Sequence, residues 1–437
     1  MMIRLKRALP ATLILSLVAF LIPTSVWAQS LSGRVTGSFY AFERSDTVNV
    51  TSNHTRGYLT YQFDFGTANL ALRAYGQLDN DFSTQLAGDG KARMYNLFLE
   101  WKNIARRAEI RLGRQSIFGG VAVGTIDGAQ MKLRLGRWLR LKAFGGGLMP
   151  AHQQVKLTDD YDQNYMVGGQ AVFVPHGDLN IGLSYFNKRQ LRPGYEALRA
   201  DSVGNVFTQF VAPSDRAFEL ASIDAAWTIK QKTSLYGRGD YDFYGDQLTR
   251  AEISARSEVS SRLTLNGSYT FRSPRLPWNS IFAAFNVEDN HEVEGGVYYR
   301  YQPALRFYGN LAGIFYSDDQ SLRVTVGADL KYGGLNYVRR SGYAGELDGL
   351  NASIYYPLHN GQIMPSAQLS WASYKLDANA SDRQTLFSAA AGLLARPWNL
   401  LTIDGQLQFL HNRYYSNDVR FLLRLQYWIF RKFGASS

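Results

Sequence analysis

Apolar and polar residues alternate with a period of two along most of this chain. Between residues 262 and 272 the two sets are Leu263, Leu265, Gly267, Tyr269 and Phe271 against Arg262, Thr264, Asn266, Ser268, Thr270 and Arg272. Successive side chains of a β-strand point to opposite faces, so this pattern predicts a strand with one apolar and one polar face. The same alternation recurs from Leu322 to Tyr332 and from Leu401 to Phe409.

This alternation predicts about twenty-two strands along the chain. They begin near residues 31, 56, 68, 92, 107, 126, 138, 164, 178, 215, 232, 248, 261, 291, 304, 320, 334, 347, 362, 383, 399 and 418. The patterns near 334 and 347 are weaker, which leaves 18 or 20 strands open.

Long and short connections between these strands alternate. The predicted long connections cover residues 44–55, 79–91, 149–163, 189–214 and 274–290, and each follows an odd-numbered strand. Tight turns rich in Gly and Pro follow the even-numbered strands. This alternation is expected when one rim of a membrane barrel carries short periplasmic turns and the other carries extracellular loops.

The predicted fold class is therefore all-β: one transmembrane antiparallel β-barrel of about 18–22 strands. The alternative is a soluble β-sandwich or a row of small β domains. A soluble chain of this length would be expected to divide into domains, yet neither a Pro/Ser-rich linker nor a repeat of fixed period is visible.

The first residues resemble a secretory signal. Arg4, Lys6 and Arg7 precede an apolar run from Ala11 to Ile22, and small residues lead to Ala28. We expect cleavage after Ala28, with residues 1–28 as signal peptide and 29–437 as the barrel in the bacterial outer membrane. The chain has no cysteine, its aromatic content is 14%, and its mean hydropathy is −0.23. These values suit strands of which one face meets water.

The last predicted strand has one apolar row, namely Val419, Phe421, Leu423, Leu425, Tyr427 and Ile429. It resembles the terminal strand that outer-membrane barrels present to the barrel-assembly machinery. Outer-membrane lipid and lipopolysaccharide are the other expected partners. A periplasmic partner is left open, as is the oligomeric state.

Charged residues concentrate on the polar face of neighbouring predicted strands. If the alternate leucines face lipid, the inward set is Arg107, Arg111, Lys132, Arg134, Arg140 and Lys142, with Glu100 and Glu109 nearby. A cationic wall in a pore raises the local anion concentration, so this set predicts a pore lining with anion preference. The alternative is that acidic residues neutralise these cations and the pore is unselective.

Arg114, within Gly113-Arg114-Gln115, ends one strand, and Asp127-Gly128 opens the next after a glycine-containing loop. This arrangement resembles porin-like and alginate-export-type outer-membrane channels over some twenty residues. The resemblance implies that Arg114 and Asp127 lie near the mouth and brace the loop; a salt bridge at the rim with no transport role is the alternative. Two predicted connections, 189–214 and 274–290, carry apolar residues and are candidates for narrowing the pore.

Signals for catalysis are poor. The six histidines are scattered, no metal-ligand spacing occurs, and no phosphate loop, nucleotide fingerprint or serine-hydrolase elbow is present. We therefore expect no enzyme, no cofactor, no metal site and no nucleic-acid binding. The predicted function is a porin-like channel for small solutes or an exported polymer. The alternative is a scaffold barrel that encloses a partner, such as a multihaem electron carrier or an exopolysaccharide-export assembly.

Overall fold

The computed structural model describes residues 29–47, 50–83, 92–200, 205–275, 288–342, 345–375, 382–414 and 417–433. The predicted signal segment, residues 1–28, lies outside them. Strands dominate these ranges, and the helical elements described within them are two three-residue 3-10 turns, Ala151–Gln153 and His359–Gly361. No helix in the described ranges is long and apolar enough to cross a membrane.

The strands, numbered in chain order, are β1 (Gln29–Thr47), β2 (Val50–Gly66), β3 (Leu70–Asp81), β4 (Ala92–Ile104), β5 (Ala108–Gly119), β6 (Ala122–Leu135), β7 (Leu139–Leu148), β8 (Asn164–His176), β9 (Leu179–Arg192), β10 (Tyr195–Ala200), β11 (Val206–Val211), β12 (Ser214–Ile229), β13 (Thr233–Asp242), β14 (Gln247–Glu258), β15 (Leu263–Arg272), β16 (Asn290–Gln302), β17 (Leu305–Phe315), β18 (Gln320–Leu330), β19 (Gly333–Gly342), β20 (Glu346–Tyr355), β21 (Ile363–Lys375), β22 (Gln384–Trp398), β23 (Leu401–His411) and β24 (Asp418–Phe433).

One antiparallel sheet of 22 strands closes on itself. Each strand pairs with the next along the chain, except that β9 pairs with β12 and leaves β10 and β11 as a separate two-stranded sheet. The barrel closes where β1 pairs with β24, from Gln29 opposite Phe433 to Ala41 opposite Phe421. The predicted β-barrel is confirmed at the upper end of the expected strand number, and both weaker strands, β19 and β20, are present.

Apolar side chains cover the outer face of the barrel. Leu265 and Leu407 are 41% and 53% exposed, whereas the alternate positions carry the ion pairs described below. Exposed aromatic residues also lie on this face at both ends of the strands. The short-turn end carries Trp101, Phe173, Trp227, Tyr299 and Phe307, and the opposite end carries Tyr185, Phe243, Tyr269, Phe315 and Phe387. Such girdles are typical of barrels whose apolar band lies in a membrane.

Two of the predicted long connections contain strand residues that the sequence did not predict. Residues 44–55 belong mainly to β1 and β2. β1 pairs with β24 only up to Ala41, and β2 pairs with β3 only from Arg56 onward. Between these positions β1 and β2 pair only with each other and form an extended hairpin. Residues 189–214 contain the end of β9 and the β10–β11 hairpin, whose Leu198 and Phe210 are 75% and 65% exposed. Most of the 274–290 connection, like most of 79–91, lies outside the described residues.

Candidate functional site: a hairpin folded into the barrel

The β5–β6 hairpin leaves the barrel wall before it turns. β5 pairs with β4 only as far as Arg114, and β6 pairs with β7 only as far as Ile126. Beyond these positions the two strands pair with each other, up to Gly119 opposite Ala122. We call residues 115–125 the lumen hairpin.

Contacts at its tip show that this hairpin folds inward. The Val121 N–H donates to Ser184 Oγ of β9 at 2.9 Å, and the Gly120 carbonyl accepts from Arg238 Nη2 of β13 at 3.3 Å. The Lys142 ammonium of β7 donates to the Phe118 carbonyl. A segment that starts between β5 and β6 reaches β13 only across the concave side of the wall, because β7, β8, β9 and β12 lie between them. The face that bears Lys142, Ser184 and Arg238 is therefore the inner face.

The hairpin rests on an apolar cluster inside the barrel. This cluster consists of Ile117, Val121, Ala122 and Ile126 from the hairpin strands and their turn, with Phe144, Leu148, Met166, Phe186 and Leu220 from the inner wall. Ile117, Ala122, Ile126 and Met166 have no exposed surface. Burial of this apolar area stabilises the folded-in position at about 25 cal/mol per Å². Phe118 and Val123, which pair across the hairpin, have the opposite orientation and are 67% and 63% exposed. They therefore face the open lumen.

Two glycines permit this arrangement. Gly113, in the wall just before the hairpin begins, has φ +120°, and a Cβ there would lie 2.4 Å from the Leu97 carbonyl oxygen. Gly120, at the tip, has φ +56°, and a Cβ would lie 2.1 Å from Ser184 Oγ. Only glycine adopts these conformations without strain, and both positions also lack room for a side chain.

Arg114 fastens the base of the hairpin. Its Nε and Nη2 donate to the two carboxylate oxygens of Asp127 at 2.7 and 2.8 Å. The remaining N–H groups donate to the carbonyls of Met94, Gln154 and Lys156 at 3.2, 2.7 and 2.6 Å. All five donors of this buried guanidinium are therefore used, and they join the hairpin to β4 and to the β7–β8 connection.

Acidic residues neutralise part of the predicted cationic wall. Glu100, whose side chain is fully buried, forms ion pairs with Arg73, Lys102 and Arg111 at 2.8, 3.0 and 2.7 Å. Glu109 pairs with Arg111 and Lys132 at 2.9 and 2.8 Å. The pairing that the sequence left open thus occurs at Arg111 and Lys132.

The other predicted cations have different surroundings. Lys142 holds the hairpin through the Phe118 carbonyl. Arg107, Arg134 and Arg140 are exposed, and within the described ranges none of them contacts a carboxylate. Arg134 lies directly opposite Arg140 on β7, and the Arg134 N–H donates to the Arg107 carbonyl at 2.9 Å. These arginines thus share one end of the inner wall, beside the short turns.

Ion pairs within and between strands neutralise much of the remaining inner wall. Arg323 reaches both Glu292 and Glu294, and Arg238 pairs with Asp240 at 2.7 Å. Further pairs are Arg250 with Glu252, Arg306 with Asp329 and Arg424 with Asp404. Arg107, Arg134 and Arg140 thus form a cationic group on a wall where many other arginines are paired with acidic residues.

Among the described hydrogen bonds, one row joins a serine, a histidine and an aspartate in the order of a serine-hydrolase triad. Ser52 Oγ lies 2.9 Å from His54 Nε2, and His54 Nδ1 lies 3.0 Å from Asp81 Oδ2. The His54 and Asp81 side chains have no exposed surface, and Asp81 also pairs with Arg56 at 3.2 Å. We interpret the network as a structural link between the extended β1–β2 hairpin and β3. In the part of the chain that the structure describes, no group of three His, Asp or Glu residues could hold a metal ion.

Sequence reasoning missed the lumen hairpin. It placed residues 116–125 in a connection and did not predict that they fold inward. The two candidates that it proposed for narrowing the pore, 189–214 and 274–290, stay predictions, and most of 274–290 lies outside the described residues. A usable signal was present, because Ile117 and Ile126 continue the alternation on either side of Gly119-Gly120.

No protein-family model and no curated protein matches the chain. Among solved structures, the P pilus usher PapC translocation pore has a TM-score of 0.46 at 10% identity and covers 92% of this chain and 99% of its own. OpdQ of Pseudomonas aeruginosa has a TM-score of 0.45 at 10% identity and covers 92% of this chain and 99% of its own. OccAB4 of Acinetobacter baumannii has a TM-score of 0.44 at 8% identity and covers 94% of this chain and 100% of its own. Similarities of this degree assign no function to the chain.

Proposed function

We propose that this chain is a porin-like channel of the bacterial outer membrane, narrowed by the lumen hairpin and selective for anions. The observation that carries the proposal is the closed 22-strand barrel with an apolar outer face and a polar interior. A closed barrel leaves no unpaired strand edge, which is the condition for a β-sheet to cross lipid. Lipid and lipopolysaccharide are its expected surroundings.

Anion preference rests on Arg107, Arg134 and Arg140. Arg111 and Lys132 share the carboxylates of Glu100 and Glu109, and Lys142 is bound to the hairpin. Neighbouring strands are about 4.8 Å apart, well within the screening length of about 8 Å at physiological salt, so the potentials of adjacent arginines overlap. This strip leads from the short-turn mouth toward the hairpin.

Planar bilayer recordings test the proposal. The purified barrel should give stable single-channel steps, and the reversal potential in a potassium chloride gradient should indicate chloride preference that decreases at high ionic strength. Replacement of Arg107, Arg134 and Arg140 together by Gln should remove the preference without affecting assembly. A matched control is Arg250→Gln on β14, which removes a paired cation from another part of the wall.

The scaffold alternative has a different outcome. A barrel of 22 strands is wide enough to hold a plug, and the described residues form no separate plug domain. A purified barrel that conducts no ions, or that leaks irregularly until a periplasmic component is added, would replace the channel proposal by the scaffold.

A further inference from the structure

A small cavity lies under the β4–β5 turn at the short-turn mouth. It has a volume of about 90 Å³ and is lined by Lys102, Asn103, Arg106, Arg107, Ala108, Glu109, Lys132 and Arg134. Glu109 and Lys132 belong to the inner-wall ion pairs, so the cavity belongs to the lumen side of the barrel. The lumen hairpin is held by other residues and takes no part in it.

Positive charge dominates this cavity. Its one carboxylate, Glu109, already accepts from Lys132 at 2.8 Å and from Arg111 at 2.9 Å, and Lys102 pairs with Glu100 at 3.0 Å. Arg106, Arg107 and Arg134 contact no carboxylate among the described residues. The cavity thus holds more cations than its acidic residues can neutralise.

Strand pairing holds these cations together. The Arg134 N–H donates to the Arg107 carbonyl at 2.9 Å, and Ala108 lies opposite Leu133. Like charges on adjacent strands destabilise a sheet, so the arrangement is unfavourable without a counter-ion. An anion shared among the guanidinium groups would remove this repulsion.

We infer that this cavity is a binding site for a compact, multiply charged oxyanion, such as the phosphate group of a solute that enters the channel. Guanidinium groups donate two parallel hydrogen bonds to phosphate oxygens, which suits a site with several arginines. The Asn103 amide nitrogen donates one N–H to Asn69 Oδ1 at 2.8 Å, which leaves its second N–H as a neutral donor in the lining. A dianion gains more from several cations than chloride or a monocarboxylate does. The inference extends the proposed anion preference from a diffuse potential to a discrete site.

The test uses the complete barrel in detergent and inorganic phosphate as the probe. Phosphate replaces chloride at constant ionic strength, and thermal unfolding is followed by circular dichroism. A ligand that binds only the folded state raises the midpoint temperature of unfolding, and the increase grows with the ligand concentration. We expect phosphate to raise this midpoint temperature and acetate at equal ionic strength to raise it far less.

Variants locate the site. Arg107→Gln with Arg134→Gln should weaken the apparent phosphate affinity about tenfold or more, because charge-assisted hydrogen bonds are lost. The control, Arg256→Gln with Arg300→Gln, removes two exposed arginines from other strands and should retain the phosphate effect. No phosphate effect, an equal effect of acetate, or an effect that persists in the first variant would overturn the site.

These outcomes are separable from the channel proposal. Chloride preference in bilayers without a phosphate effect would remove only the discrete site. A phosphate effect that depends on Arg107 and Arg134 in a barrel that does not conduct would retain the site and remove the channel.

Discussion

Arg114 and Asp127 lie opposite each other at the base of the lumen hairpin and form a two-pronged ion pair, with Nε–Oδ1 and Nη2–Oδ2 distances of 2.7 and 2.8 Å. The same guanidinium donates to the carbonyls of Gln154 and Lys156. One side chain thus fixes both the point where the hairpin enters the lumen and the segment beside it.

Arg114→Lys should loosen the hairpin. An ammonium group has three donors and cannot reproduce the planar fork of guanidinium, so contacts with Asp127 and the carbonyls are lost together. We expect an assembled barrel with larger and noisier single-channel conductance. Arg250→Lys, at an ion pair within the wall, is the matched control and should leave conductance unchanged. Unaltered conductance in Arg114→Lys would indicate that the apolar cluster alone holds the hairpin.

A cysteine pair can test whether the hairpin tip lies on the inner wall. The chain has no native cysteine, so Val121→Cys with Ser184→Cys provides the only thiols. Because the Val121 nitrogen lies 2.9 Å from Ser184 Oγ, a short thiol cross-linker should join them in the assembled barrel. The link is detected as altered mobility of the unfolded protein on a gel. Val121→Cys with Ile223→Cys, which is exposed on the outer face, should not cross-link.

Glu100→Gln should change both stability and selectivity. The buried carboxylate compensates Arg73, Lys102 and Arg111, and loss of one member of a buried ion pair costs about 3–5 kcal/mol, with the lower end expected because the cations are partly exposed. The variant should unfold at lower denaturant concentration and show stronger anion preference. Glu258→Gln, an exposed residue, changes the net charge equally and should leave stability almost unaffected. Equal stability of the two variants would contradict the role of Glu100.

Leu407→Arg should impair assembly, because arginine at mid-membrane on the lipid face of a barrel costs about 2–4 kcal/mol. The neighbouring Gln406→Arg points into the lumen, where Gln406 accepts from Gln408, and should assemble normally. Heat-modifiable gel mobility of outer-membrane fractions measures both. Leu265 offers a second outward position for the same comparison. Greater damage from the inward change would reverse the assignment of the two faces.

Surface labelling tests the orientation. Asn53→Cys, in the extended β1–β2 hairpin, should react with a membrane-impermeant maleimide on intact cells. Lys232→Cys, in the short turn between β12 and β13, should react only after permeabilisation. The opposite labelling pattern would show that the barrel has the reverse orientation in the membrane. Asp89 and Gly204, in the predicted long connections 79–91 and 189–214, lie outside the described residues.

Strand periodicity was sufficient for the barrel because each strand contains its own inward and outward pattern. Alternation places Leu265 and Leu407 on the apolar faces of their strands, and both side chains are exposed on the outer face. The prediction of a loop at residues 44–55 was wrong because the polar sequence of an extended hairpin resembles that of a loop. Nothing local separates a hairpin that continues above the rim from a flexible connection.

The alternation of Ile117 and Ile126 could have indicated a hairpin, but its position against the inner wall could not be predicted because its partners are distant in the sequence. Val121 binds Ser184, and Gly120 binds Arg238, more than a hundred residues away. Periodicity identifies the face of a residue but not the strand against which that face will pack. The partial neutralisation of the cationic wall has the same origin, since Glu100 gathers cations from three strands.

The seam between β1 and β24 has a consequence for assembly. Its pairs join the beginning of the described chain to its end, as in Ser38 opposite Arg424, so the closing contacts have the longest sequence separation among the described strand pairings. Loop-closure entropy must be overcome before such contacts form, and folding slows as they come to dominate. Until β24 arrives, both terminal strands present unpaired edges that could join another chain. A chain truncated before Asp418 is therefore expected to accumulate as open sheets prone to aggregation, and the rate-limiting step of folding should be the meeting of the first and last strands.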